Sequence, residues 1–167
     1  MKAIETRYDG KRFRSRIEAR WAVFFNRMGI EYDYEPEGFE LAENCRYLPD
    51  FLLKDPEGGN LWVEIKGACP KIEELVKIMI LSKESDIPFV LFFNGLERIR
   101  YVDINNFSFF HRADLGIEIE KNNDIFSLND EGELHDYFLS KGIGASSCPL
   151  RALQDAKSAR FEHGEKP

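Results

Sequence analysis

The sequence predicts an α/β fold of the mixed α+β type, with a central mixed β-sheet flanked by helices. Residues 61–66 and 88–93 have the composition of buried strands, and a segment of helical periodicity separates them. This strand, helix, strand order predicts a parallel crossover unit. Ahead of it, the dense turn residues at 55–60 predict an antiparallel hairpin, so both kinds of strand pair meet in one sheet.

The first predicted helix covers residues 15–28. Its apolar side chains recur at helical spacing between a good N-cap, Ser15, and a good stop, Gly29. A weakly alternating segment at 30–34 predicts the start of a strand, and a turn follows at 35–38. The apolar stripe of the helix contains Ile17, Trp21, Phe24, Phe25 and Met28.

The remaining core elements follow the turn. Strands are predicted at 46–53 and 61–66, a helix from 70 to about 85, and a buried strand at 88–93. Residues 98–111 predict one or two edge strands. The predicted buried side of the second helix consists of Ile72, Leu75, Val76, Met79 and Ile80.

The length of 167 residues is enough for one well-buried core, so we expect a single domain over 1–167. Its core is predicted at about 10–111, and a C-terminal helical extension at about 130–163. The extension consists of predicted helices at about 130–141 and 149–162.

Composition excludes several classes of protein. No apolar run approaches the ~18 residues of a membrane span, and the N-terminus lacks the apolar core of a signal peptide. We therefore expect a cytoplasmic protein without a membrane partner. Three widely spaced cysteines predict neither a disulfide framework nor a structural zinc site.

Charge is unevenly distributed. Residues 1–27 carry eight Lys or Arg against three acids, a surplus of +5 that leaves −12 on the other 140 residues of a chain with net charge −7. Such a basic end predicts either local contact with phosphates or a solvated helix face with a flexible start. The candidate phosphate-binding residues are Arg14, Arg16, Arg20 and, on the second helix, Lys77, with surface solvation as the alternative for each.

The hairpin brings three charged side chains together. In a symmetric hairpin with a turn at 55–60, the residue numbers of each cross-strand pair add up to about 115. This sets Asp50 opposite Ile65 and one step from Glu64. A small slip in the turn would set Asp50 directly opposite Glu64. Strand alternation places Glu64 and Lys66 on the same face.

These groups predict hydrolysis of a phosphodiester. Two close carboxylates repel unless a cation lies between them, and oxygen ligands suit Mg²⁺, with Mn²⁺ as a substitute. The ion would activate water, and Lys66 would orient that water or stabilise charge on the phosphate. The alternative is a surface ion pair of Glu64 with Lys66, with Asp50 merely following Pro49 at a strand edge.

Three short motifs occur in order: a helix starting Ser15-Arg16-Ile17-Glu18, then Leu48-Pro49-Asp50-Phe51, then Trp62-Val63-Glu64-Ile65-Lys66-Gly67. This order resembles the PD-(D/E)XK nuclease superfamily over roughly residues 10–95. The segment 158–165 also resembles the end of uncharacterised phage and mobile-element members. The resemblance implies a restriction-endonuclease-like core and DNA as the substrate.

The resemblance also implies roles for individual residues. Asp50 and Glu64 would bind the metal, with the Ile65 carbonyl as a further ligand, and Lys66 would be the catalytic lysine. Glu18 would reach the metal or its waters from the first helix. However, Ser15-x-x-Glu18 is also a capping box, which would tie Glu18 to the start of its own helix.

The main hypothesis is therefore a metal-dependent DNA endonuclease. One alternative is a non-catalytic nucleic-acid-binding or scaffold subunit with the same fold, and another is a nuclease subunit active only within a partner complex. The presence of all four candidate residues favours an enzyme. Paired cuts on two strands would suit a homodimer, but the sequence fixes neither the oligomeric state nor the structure of the substrate.

Overall fold

The predicted mixed sheet flanked by helices is confirmed. Five strands form a mixed sheet, and a two-residue strand adds a sixth at one edge. Residues 105–111 of the predicted edge segment and the predicted helix at 130–141 lie outside the described residues. The computed structural model describes residues 3–42, 45–54, 59–96, 99–104, 126–127 and 149–161.

Ten strands and three helices make up the described part of the chain. The main sheet has the order β10-β9-β8-β7-β6-β3, with β7 and β8 parallel and its other described pairs antiparallel. Two separate hairpins, β1–β2 and β4–β5, accompany it. The elements are β1 (Thr6–Tyr8), β2 (Lys11–Phe13), α1 (Arg16–Met28), β3 (Glu31–Tyr34), β4 (Phe39–Ala42), β5 (Cys45–Tyr47), β6 (Phe51–Lys54), β7 (Leu61–Lys66), α2 (Ile72–Ser85), β8 (Phe89–Phe93), β9 (Arg100–Asp103), β10 (Phe126–Ser127) and α3 (Pro149–Ser158).

Helix α1 forms as the sequence predicts. The Ser15 side chain accepts a hydrogen bond from the Glu18 backbone N–H, which satisfies one of the free donors of the first turn. Gly29 ends the helix with φ +72°, a left-handed conformation that glycine adopts without steric cost. The predicted apolar stripe is buried except for Ile17, which is half-buried and packs against the core.

Strand β7 separates two apolar layers. Leu61, Val63 and Ile65 join the core formed with α1 and α3, whereas Trp62 joins the core formed with α2. Strand β8 is buried along its whole length because both of its faces are covered. The sheet thus lies between α1 and α3 on one side and α2 on the other. No helix in the described ranges is long and apolar enough to cross a membrane.

Two predicted details are wrong. The expected strand at 46–53 is two strands, because β5 pairs with β4 and the chain turns through Leu48-Pro49-Asp50 before β6. Proline lacks the N–H that a continuous ladder requires at a paired position. On the predicted buried side of α2, Leu75 is buried and Val76, Met79 and Ile80 are half-buried, but Ile72 is 49% exposed. Ile78 and Leu81, which are not predicted, are buried.

Two hairpins, β1–β2 and β4–β5, are not predicted from the sequence. The N-terminal segment is not simply a flexible start, because β1 pairs antiparallel with β2 across Asp9 and Gly10, both of which have positive φ. This is the backbone sign that a tight two-residue hairpin requires. The β4–β5 hairpin is also absent from the prediction, and it forms one wall of the candidate site described next.

Candidate active site

The register of the β6–β7 hairpin sets the geometry of the site. Phe51 pairs with Val63 and Leu53 with Leu61, so extending the ladder by one residue sets Asp50 opposite Glu64. This is one residue away from the symmetric estimate and agrees with the slip considered in the sequence analysis. Asp50 Oδ2 accepts a hydrogen bond from the Ile65 backbone N–H at 2.8 Å, which fixes its carboxylate against β7.

The predicted metal-binding and catalytic residues line one cavity of about 830 Å³. Helix α1, the β4–β5 hairpin, the end of β7 and helix α2 all contribute to its wall. Asp50 and Glu64 are buried, at 4% and 3% exposure, and Glu18 is buried at 7%. The lining residues are Arg14, Glu18, Gly38, Phe39, Glu40, Arg46, Tyr47, Leu48, Asp50, Glu64, Ile65, Lys66, Glu74, Lys77 and Ile78.

Glu64 has a partner on each of its carboxylate oxygens. The Lys66 ammonium lies 2.7 Å from Oε1, and the Tyr47 hydroxyl donates to Oε2 at 2.8 Å. Lys66 Nζ also lies 3.5 Å from Glu74 Oε1. Burial lowers the pKa of Lys66, but the charge and hydrogen bond of Glu64, together with the charges of Asp50 and Glu74, outweigh it and raise that pKa overall. Lys66 is therefore a cation at neutral pH rather than a base.

Asp50 is a buried carboxylate whose surroundings disfavour its charged form. Burial raises its pKa well above the usual value for aspartate, and the negative charges of Glu64 and Glu18 raise it further. The Ile65 N–H and the Lys66 charge oppose this shift without cancelling it. The surplus of negative charge at Asp50 is the electrostatic condition that a bound cation would relieve.

Both carboxylate oxygens of Glu18 accept hydrogen bonds from groups near the start of α1 and the end of β3. Its Oε1 accepts from the Ser15 hydroxyl at 2.6 Å, and its Oε2 accepts from the Tyr34 hydroxyl at 2.6 Å and from the Arg14 N–H at 3.1 Å. The capping interaction predicted as an alternative is thus present in part. Its influence on the Asp50 pKa shows that the carboxylate still contributes to the charge of the site.

Arg14 links Asp50 to a carboxylate that the sequence analysis does not single out. Its Nε forms an ion pair with Glu35, and its Nη2 lies 3.5 Å from Asp50 Oδ1. Glu35 has φ +46°, and its backbone N–H donates to the Asp50 carbonyl at 2.9 Å. Glu35, in the turn after β3, therefore holds Asp50 directly through its backbone N–H and indirectly through Arg14.

The candidate phosphate-binding residues fall into two groups. Arg14 and Lys77 line the cavity, whereas Arg16 and Arg20 are not among its lining residues. Arg46 contributes a further cation from β5. A charge at a hairpin position is typical of any solvated strand, so no local signal distinguishes Arg46. Tyr47 and Glu74 are also missed, because their roles depend on contacts between distant segments.

The donor set suits a hard divalent cation only in part. Asp50 and Glu64 supply carboxylate oxygens at adjacent positions, which are ligands that Mg²⁺ and Mn²⁺ accept together with waters. Within the described ranges, however, no group of three or more His, Cys, Asp or Glu side chains is arranged to hold a metal ion. The geometry fits a two-carboxylate site completed by waters, and the role of Glu18 as a direct ligand stays a prediction.

Comparisons of the chain with known protein families, with curated proteins and with solved structures find no match. The geometry of the site and the three sequence motifs are therefore the basis on which a function is proposed.

The bond between Tyr34 and Glu18 leads to a stability prediction. Tyr34→Phe removes a charge-assisted hydrogen bond from a buried carboxylate, so we expect a loss of about 1–2 kcal/mol in the free energy of unfolding. The ring should stay against Phe13, whose centroid lies 4.4 Å away. Urea denaturation measures the change.

Tyr8→Phe is the matched control, because the Tyr8 hydroxyl accepts from the neutral Asn26 amide, away from the cavity. We expect it to lose less than about 1 kcal/mol. Equal losses in the two variants would show that the Glu18 carboxylate does not depend on Tyr34.

Proposed function

We propose that this protein is a metal-dependent endonuclease of the PD-(D/E)XK type, which hydrolyses DNA phosphodiester bonds. The observation that carries the proposal is the register of the β6–β7 hairpin. It sets Asp50 opposite Glu64 at the wall of a cavity, with the Lys66 ammonium 2.7 Å from a Glu64 oxygen. Two buried carboxylates and a cation around one open space are the parts that this chemistry requires.

Each residue has a task under this proposal. Asp50 and Glu64 would hold the divalent ion, and the Ile65 carbonyl would be a further ligand. A divalent ion supplies charge stabilisation and a water of lowered pKa when bound. Lys66, which carries a charge at neutral pH, stabilises the negative charge that develops on the phosphate. Glu18 adds to the negative field that favours a cation at Asp50.

DNA contact is best supported at the rim of this cavity. Arg14, Arg46 and Lys77 approach it from the turn before α1, from β5 and from α2, and each can contact a phosphate. The lining also contains five carboxylates, and the whole chain has net charge −7. Productive binding of a polyanion should therefore depend on the divalent ion, with phosphate contacts confined to this part of the surface.

The direct test is a cleavage assay on linear duplex, nicked, single-stranded and branched DNA of matched sequence. We expect cleavage with Mg²⁺ or Mn²⁺ and none after chelation with EDTA. Isothermal titration calorimetry with Mn²⁺ on the same protein should detect a site without any DNA present.

The assay also distinguishes the competing functions. A protein that neither binds Mn²⁺ nor cuts any of the four substrates is not the enzyme proposed here, and a scaffold subunit would give that result. A nuclease subunit that requires a partner would bind Mn²⁺ through Asp50 and Glu64 but cut only after reconstitution. Metal binding without cleavage therefore directs the search to a partner protein.

A further inference from the structure

We propose that Tyr47 is a positioning residue, which holds the Glu64 carboxylate in the orientation needed to bind the divalent ion. This inference rests on the proposed function and adds to it a residue that lies outside all three sequence motifs. Tyr47 belongs to the β4–β5 hairpin, a two-stranded sheet separate from the one that carries Glu64. Its role is therefore visible only in the folded chain.

The contacts of Tyr47 define its position closely. Its hydroxyl donates to Glu64 Oε2 at 2.8 Å, and its ring lies beside Phe89, with centroids 6.4 Å apart. Phe39, on the paired strand β4, packs edge-on against Trp62 at 5.6 Å. The hairpin thus packs on β7 and β8. This packing fixes the position from which the Tyr47 hydroxyl reaches Glu64.

Glu64 needs the bond from Tyr47 because its other partner, Lys66, attracts the carboxylate toward α2. Lys66 attracts Oε1 at 2.7 Å and itself lies 3.5 Å from Glu74 Oε1, on the α2 side of the cavity. The Glu64 carboxylate could then turn toward the lysine and away from Asp50. A neutral donor on Oε2 opposes that rotation without adding charge, and it leaves lone pairs of the carboxylate available for a cation.

A supporting donor of this kind has a measurable effect in metalloproteins. Hydrogen bonds to a metal ligand fix its orientation, and their loss costs about 10–100-fold in metal affinity or activity. Tyr47 makes such a bond to Glu64 but has no charge to offer a phosphate. Its removal should therefore reduce metal affinity and, at a Mn²⁺ concentration that saturates both proteins, reduce kcat while leaving the KM for DNA nearly unchanged.

The test compares Tyr47→Phe with the parent protein and with Tyr8→Phe. Both substitutions remove one hydroxyl from a tyrosine that makes a hydrogen bond, but Tyr8 bonds with Asn26 outside the cavity. Thermal unfolding first establishes that the variants are folded. Calorimetric titration with Mn²⁺ and steady-state cleavage of a DNA substrate then give metal affinity, kcat and KM for each protein.

We expect Tyr47→Phe to lose about 10-fold or more in Mn²⁺ affinity and in kcat, while Tyr8→Phe stays close to the parent. An unchanged Tyr47→Phe in a parent that cuts DNA overturns the inference and leaves the proposed function intact. Equal losses in both variants also overturn it, because they indicate a general effect on stability. A parent that neither binds Mn²⁺ nor cuts overturns the proposed function, and the inference with it.

Discussion

Asp50→Asn is expected to reduce cleavage by at least about 10³-fold and, at the same time, to stabilise the metal-free protein. The activity falls because a neutral amide cannot replace a carboxylate ligand, and the bound ion is worth several kcal/mol of transition-state stabilisation. The stability rises because ionisation of Asp50 places a buried negative charge near the carboxylates of Glu64 and Glu18. Asparagine retains an oxygen that can accept from the Ile65 N–H.

The gain in stability should depend on pH in a defined direction. Burial and the neighbouring carboxylates raise the pKa of Asp50 in the folded chain above its unfolded value. Folding therefore favours the protonated acid, and the ionised form costs stability as pH rises from the unfolded pKa through the folded pKa. Parent and variant should melt alike near pH 3, and the variant should melt higher at neutral pH.

Thermal unfolding with and without Mn²⁺ checks both parts. We expect Mn²⁺ to raise the Tm of the parent but not that of Asp50→Asn, since a ligand stabilises only the protein that binds it. A change of 1 kcal/mol corresponds to about 2–4 °C in a chain of this size, which standard calorimetry resolves. Cleavage by Asp50→Asn at the parent rate would exclude the proposed mechanism.

Asp33→Asn is a suitable control. Asp33 is a half-exposed acid on β3 that pairs with Lys54 at 2.6 Å, outside the candidate site. We expect parent-like cleavage and a parent-like response to Mn²⁺. A similar loss of activity in this variant would indicate that the Asp50 result reflects general electrostatics rather than a metal ligand.

Local patterns predict most of the core. Helix α1 agrees with its sequence signals because the cap at Ser15, the apolar stripe and the stop at Gly29 all act within one turn of the residues they affect. The parallel pairing of β7 with β8 is also predicted, because a helix between two strands leaves few alternative topologies. Strand alternation likewise separates Ile65 from Glu64 correctly.

Local sequence patterns do not determine the register of the β6–β7 hairpin. The turn residues predict that two strands pair, but a one-residue slip decides whether Asp50 lies opposite Ile65 or Glu64. The observed register agrees with the slipped alternative. Packing on both faces of β7 fixes such a register, and that packing depends on residues far away in the sequence.

The parts of the site that are missed come from long-range contacts. Tyr47 lies 17 positions from Glu64, and the bond between them forms only because the β4–β5 hairpin docks beside β7. Glu35 acts through Arg14, which precedes it by 21 positions. Helix α2 is placed correctly, but Ile72 is exposed because α2 packs on the sheet through Leu75, Ile78 and Leu81.

Lys66→Met is expected to separate catalysis from metal binding. Met is similar in length but has no charge, so the variant loses the cation that would stabilise the transferred phosphate. Removal of such a group typically costs about 10²–10³ in kcat. Metal binding should persist or strengthen, because an ammonium 2.7 Å from Glu64 Oε1 competes with a divalent ion for that oxygen. Lys66→Met should therefore keep Mn²⁺ binding, whereas Asp50→Asn should lose it.

Single-turnover cleavage and calorimetric titration with Mn²⁺ measure the two effects, with Lys83→Met as the control. Lys83 is exposed in the last turn of α2 and is not among the residues lining the cavity, so its removal should change neither quantity. Loss of Mn²⁺ binding in Lys66→Met alone would assign the lysine to the architecture of the metal site. Unchanged cleavage would remove it from the reaction. The proposed role requires slow cleavage by a protein that still binds the ion, because the proposal assigns Lys66 to the phosphate and Asp50 and Glu64 to the metal.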